Sequence, residues 1–101
     1  MSTPAALSFP CLLQQFFVQR LMQQLHASPR TVAAYRDSFR LLLDFAHRRL
    51  RKQPSELTLE DLNASLILDF LKHLETDRHN CIRSRNARFA AIRSFMEFVS
   101  F

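Results

Sequence analysis

The chain has 101 residues, 14 Lys and Arg against 9 Asp and Glu for a net charge of +5, and no glycine at all. Ordinary usage of about 7% would give roughly seven glycines at this length. The absence excludes the chemistries that need a glycine-rich loop: Walker-type phosphate cradles, dinucleotide fingerprints and nucleophile elbows. It also argues against β-rich folds, whose tight hairpins use residues that tolerate positive φ. An all-α protein remains. With 48% hydrophobic residues and ten Phe, the chain can fill a modest single core. No apolar run reaches the roughly 18 residues of a membrane span, and the opening MSTPAALSFP lacks the basic start of a secretory signal. Cys11 and Cys81 form no CxxC pair. They read as reduced thiols of a cytoplasmic protein, packed as small apolar residues, with a disulfide as the minor alternative.

Residues 1–9 read as a flexible N-terminus ahead of one domain, 10–101. From Pro10 a first amphipathic helix runs to about His26-Ala27, with Leu13, Phe16, Phe17, Leu21 and Leu25 three or four residues apart. Ser28-Pro29 then marks a helix start, a favoured N-cap followed by proline at the first helical position. The second helix covers about Pro29 to Arg49 with Val32, Tyr35, Phe39, Leu42, Leu43, Ala46 and Leu50 on one face. Leu41 and Phe45 lie on the other side, so this helix is expected to be central and contacted from two directions. RKQPSELT (51–58) is a loop broken by Pro54. Thr58, followed by Glu60 and Asp61, predicts a short turn at 59–62. A third helix follows over 64–77, with Ile67, Phe70, Leu71 and Leu74 inward. Asn80 is placed in the next break, in the left-handed conformation that glycine would usually take. A fourth helix starts near Ser84, with Phe89, Ile92, Phe95, Met96 and Val99 as its apolar stripe. Traced backwards, that stripe runs into Arg88 and Arg85, so the start of this helix is expected to project beyond the core, basic end first. The architecture predicted is a four-helix orthogonal bundle with one extra helical turn.

Charge follows the same segmentation. Residues 28–52 carry seven Lys and Arg against two Asp, 53–77 one Lys against six acids, and 78–101 five Arg against one Glu. Two basic blocks around an acidic one suggest two elements facing one polyanion, with the acidic element turned away.

The candidate chemistry is uneven. His73, His79 and Cys81 invite a zinc reading, but no spacing matches a ligand pair on one helix face, so no metal and no cofactor is expected. The acids of 56–77 stand beside no nucleophile and read as a solvated face. Tyr35 belongs to the apolar stripe and reads as a core residue with its hydroxyl at the helix edge. Enzymatic activity is therefore not expected of this chain. The basic constellation says more: Arg30, Thr31, Arg36 and Arg40 on the second helix, and Arg83, Ser84, Arg85, Asn86 and Arg88 at the start of the fourth. Arginines neutralise phosphates and grip guanine edges, while hydroxyls and Asn orient phosphates or adenine. A helix N-terminus adds backbone donors. The competing account is an ordinary surface in which Asp37 and Asp44 pair the arginines of helix two. In helix four itself only Glu97 offers a counter-charge.

The stretch SPRTVAAYRDSFRLLLDFA (28–46) resembles the second helix of the N-terminal core-binding domain of tyrosine recombinases, the phage integrase family. LTLEDLNASLILDFLKHLE (57–75) is similar to that domain's third segment, and SRNARFAAIRSFMEFV (84–99) to its last helix. The resemblance covers residues 10–100 in one register. It implies a SAM-like four-helix domain forming half of a C-shaped clamp on double-stranded DNA, with helices two and four facing the duplex. It carries a DNA-facing role onto Ser28, Thr31, Ser84, Asn86 and Arg88. Two positions depart from the family pattern: Arg85 stands where the family is commonly apolar, and Ala87 where it often has Arg.

The resemblance further implies a catalytic domain with an Arg–His–Arg-type cluster and a tyrosine nucleophile, which this chain lacks. The end at MEFVSF, mid-helix and without a cap, is read as a truncation of an integrase or recombinase, with an orphan core-binding domain acting as a DNA-binding accessory as the alternative. The partners implied are DNA, that catalytic domain and other recombinase protomers, with no membrane. The alternative function is a helical protein–protein interaction module without DNA binding. A transcription-factor helix-turn-helix fits the segment 58–75 poorly, because its second helix is acidic.

Overall fold

The computed structural model describes residues 9–79 and 81–100, and every regular element among them is helical. Helix α1 (Phe9–Gln15) continues into a π-helical stretch (Phe16–Gln24). Helix α2 spans Pro29–Leu50, two 3₁₀ turns follow at Pro54–Glu56 and Leu59–Asp61, and α3 (Ala64–Thr76) and α4 (Ile82–Val99) complete the bundle. The all-α expectation and its four α-helices hold, as does the turn before α3. The bundle is thin: its shortest dimension is 19 Å against a longest of 48 Å, about two helix layers at the usual spacing of roughly 8–10 Å.

The starts of the helices follow the expected chemistry. Ser28 Oγ accepts the Thr31 backbone N–H at 3.2 Å, with Pro29 at the first helical position. Asp61 accepts the Thr58 backbone N–H at 3.0 Å and so closes the turn before α3. Asn63, which no sequence signal singled out, caps α3 by accepting the Leu66 N–H at 2.9 Å. The ends are less ordinary. His26, Arg51 and His79 take positive φ, at 50°, 56° and 54°. Each follows a helix, so a chain without glycine places larger residues in the left-handed region at all three breaks. Asn80, expected there, lies outside the described residues, and its neighbour His79 holds the left-handed conformation.

The core forms around α2. Phe39, Leu42 and Ala46 are buried there, and Val32, Tyr35, Leu43 and Leu50 pack against them. The second side of the helix is covered too: the ring of Phe45 lies 5.6 Å from that of Phe70 on α3. Phe16 sits at the centre, its ring within 5.5–6.3 Å of those of Phe17, Tyr35, Phe39, Phe95 and Phe98. Phe9, assigned by sequence to a flexible tail, is fully buried instead. Its ring packs on Phe95 and its backbone N–H donates to the Leu57 carbonyl at 3.0 Å.

Two positions expected to face inward do not. Leu25 is 56% exposed because the helix stops there: it is the cap of the π-helical stretch, past the last turn that packs. Phe89 is 41% exposed, and Ala91 takes the buried place beside Ile92 and Phe95. Helix α4 also begins two residues before Ser84, at Ile82. Cys81 stands exposed at its N-cap and is not packed as an apolar residue, while Cys11 is half-buried.

Candidate nucleic-acid interface

Helices α2 and α4 lie against each other, and the basic residues distribute unequally over their shared surface. Arg30 and Arg36 on α2, and Arg83, Ser84 and Asn86 on α4, are exposed. Ser28 and Thr31 are joined at the N-terminus of α2, where the Ser28 hydroxyl donates to Thr31 Oγ1 at 3.1 Å. Arg36 lines a groove of about 510 Å³ with Met22, His26 and Val32, on the flank of α2 that faces the first helix. The opposite flank carries a notch of about 210 Å³, lined by residues 34, 35, 37 and 38 of α2 and by Ser84, Ala87 and Arg88 of α4. The structure thus brings Ser84 and Arg88 to one notch, links Arg40 to it only through Asp37, and sets Arg36 apart from them.

Two arginines do not project as expected. Arg88 is only 22% exposed: its Nη1 lies 3.0 Å from Asp37 Oδ2 and donates to Ser38 Oγ at 3.3 Å. Arg85 folds back onto α3, where its Nη1 lies 2.8 Å from Glu75 Oε1, and its Nη2 donates to Asn86 Oδ1 at 3.0 Å. The sequence offered Glu97 as the counter-charge within α4; the effective partners of Arg85 and Arg88 come from α3 and α2. Both pairs lie many residues apart along the chain, so only packing brings them together. The same holds for the acidic segment. Asp61 binds Lys52 at 3.0 Å, Asp69 pairs with Arg49, and Glu75 holds Arg85. Three of its six acids therefore pair with a lysine or arginine from outside the segment.

Ser38 is the residue of this surface that sequence reasoning did not place in it. Asp37, expected as a pairing partner of the arginines of helix two, does pair with Arg40, at 2.6 Å across one turn. The Arg40 hydrogen bond, with Arg88 adding to it, holds its carboxyl below the usual carboxylate range. Ser38 is 4% exposed and donates its hydroxyl to the Ala34 carbonyl at 3.0 Å, so its oxygen stays aimed at Arg88. At the N-terminus of α4 the Ser84 hydroxyl, with the Ser84 and Arg83 N–H groups, holds the Cys81 thiol below its ordinary value. Among the described residues no three His, Cys, Asp or Glu side chains group as metal ligands would, and no helix is long and apolar enough to cross a membrane.

The fold and its surface define a class: a small all-α bundle whose second and last helices share a basic surface. The sequence pattern of the family described as phage integrase, N-terminal SAM-like domain, matches residues 13–100. The chain belongs to that family. It is 54% identical over 90 residues, 89% of its length, to a protein of Sinorhizobium fredii provisionally named integrase/recombinase y4rC. Over 89 residues, 88% of its length, it is 53% identical to a second protein of that organism, provisionally named integrase/recombinase y4rD. The chain spans 27% and 32% of the lengths of these two relatives. No solved structure matches it significantly.

Proposed function

We propose that this chain is the DNA-binding, core-binding domain of a tyrosine recombinase, which grips duplex DNA through α2 and α4 while a separate catalytic domain cleaves and rejoins the strands. The observation that carries the reading is the juxtaposition of α2 and α4, which puts the helix start at Ser28–Thr31, the exposed Arg30 and Arg83, and the Ser84–Arg88 notch on the two basic helices. The family and the two integrase/recombinase relatives support it. In this reading the chain supplies binding and no chemistry of its own. Tyr35 fits that division, since its ring stacks on Phe16 at 6.3 Å and 11°. The other partners are the catalytic domain of the same protein and further protomers on the DNA.

Fluorescence anisotropy on a labelled duplex, titrated at several salt concentrations, tests the proposal. Contacts to about five phosphates give a log–log salt slope near −4.5; an affinity that does not change with salt removes it. Arg83→Ala is the cleanest single probe of α4, because Arg85→Ala and Arg88→Ala would also break links to α3 and α2.

A second reading, a module that binds other proteins, draws on the exposed Val18, Met22 and Leu25 of the first helix. It requires self-association or partner binding with no affinity for duplex DNA. Sedimentation of the chain with and without duplex separates the two.

A further inference from the structure

Asp37 is an acid set among the residues expected to meet DNA. Its carboxylate holds one arginine from each basic helix, Arg40 through Oδ1 at 2.6 Å and Arg88 through Oδ2 at 3.0 Å. It lines the same notch as Ser84 and Arg88, and its side chain is 39% exposed. A guanidinium takes a carboxylate and a phosphate with the same fork of N–H donors. A phosphodiester entering the notch therefore meets Arg88 already engaged, a like charge in the place it would fill, and Arg40 held beside the notch by that same carboxylate.

We propose that Asp37 is an internal competitor for DNA phosphate: it holds Arg40 and Arg88 in the free chain and yields them when the DNA backbone enters the notch between α2 and α4. The inference rests on the DNA-binding reading above and names the residue that tunes it. Two features separate Asp37 from a plain structural clasp. The Arg40 side chain is 70% exposed, and pairs so open to water contribute little to stability. Ser38 also holds Arg88 independently, from a hydroxyl anchored on the Ala34 carbonyl. Arg88 thus keeps its place at the notch when the carboxylate lets go. The consequence is selectivity: any phosphate can approach Arg30 or Arg83, but only a backbone that satisfies both Arg40 and Arg88 displaces Asp37.

The test compares the 101-residue chain with Asp37→Asn and Asp44→Asn by anisotropy on a random-sequence duplex. Asp44 is exposed on the same helix, and its substitution changes the net charge equally, but it takes no part in the Asp37 cluster. Asp37→Asn is expected to bind about tenfold more tightly, with a salt slope close to that of wild type, because the same arginines meet phosphate in both complexes. Asp44→Asn is expected to gain less than about threefold. Equal gains in both variants overturn the inference, as does unchanged or weaker binding by Asp37→Asn, while wild-type binding leaves the DNA reading intact. A wild-type chain that binds no duplex removes both. Should Asp37→Asn lose helix content, the carboxyl ¹³C resonance of Asp37 in the wild-type chain decides: it moves on addition of duplex if the arginines leave, and a fixed resonance overturns the inference.

Discussion

Phe16 is fully buried, with five aromatic rings around its own, and it joins the first helix to α2 and α4. Removing a ring at such a point leaves a cavity that stiff neighbouring rings fill poorly. Phe16→Ala is expected to cost about 3–5 kcal/mol in urea unfolding, a large share of the about 5–15 kcal/mol that holds a small domain together. Arg51 illustrates the opposite case, a residue whose backbone works against it. It closes α2 at φ 56°, with its N–H donated to the His47 carbonyl at 2.9 Å, and its exposed side chain leaves no packing to lose. Glycine takes that conformation without a Cβ clash, so Arg51→Gly should raise the urea midpoint, by up to about 1 kcal/mol in stability. An unchanged or lower midpoint would show that the left-handed turn costs nothing here.

The first helix shows how an element can keep its pattern yet change its register. Phe16 and Leu21 are both buried five residues apart, the hydrogen-bond step of a π-helix, and the helix then ends at Leu25. Leu21→Ala should therefore cost about 2–5 kcal/mol, and Leu25→Ala less than about 0.5 kcal/mol, both read from urea denaturation. Similar losses at the two sites would contradict the register. The positions of α2 and α3 were legible in the sequence because Ser28-Pro29 and the Thr58–Asp61 turn are local chemistry. The start of α4 was legible as a basic helix end but not as a paired one. Arg85 and Arg88 look like free cations until α3 and α2 supply Glu75 and Asp37. A Glu75→Ala/Arg85→Ala double-mutant cycle should return a coupling of about 0.2–1 kcal/mol, as for other exposed pairs.

Across the whole molecule, charge links the segments more than it separates them. Asp37 and Asp61 both titrate below their ordinary values: Asp37 chiefly through its hydrogen bond with Arg40, Asp61 through the Thr58 N–H and then Lys52. A carboxyl with a lower pKa folded than unfolded contributes stability above the unfolded value, about 3.9, and loses it as pH falls through the folded value. Thermal stability should therefore stay level from neutral pH to about 4 and drop below it. Asp61→Asn should lower the neutral plateau and flatten the acid limb; a limb of unchanged steepness would rule Asp61 out as a source.

The missing glycines, the helix caps and the segmented charge are properties of neighbouring residues, so the sequence alone determined the all-α class, the helix order, the integrase-type pattern and the two basic helices. Contacts between distant residues decided the rest. The α4 arginines gained acids from other helices, and one carboxylate came to lie between α2 and α4. A charge pattern says how many arginines a surface can present. Which of them are already held depends on distances that only the packed bundle defines.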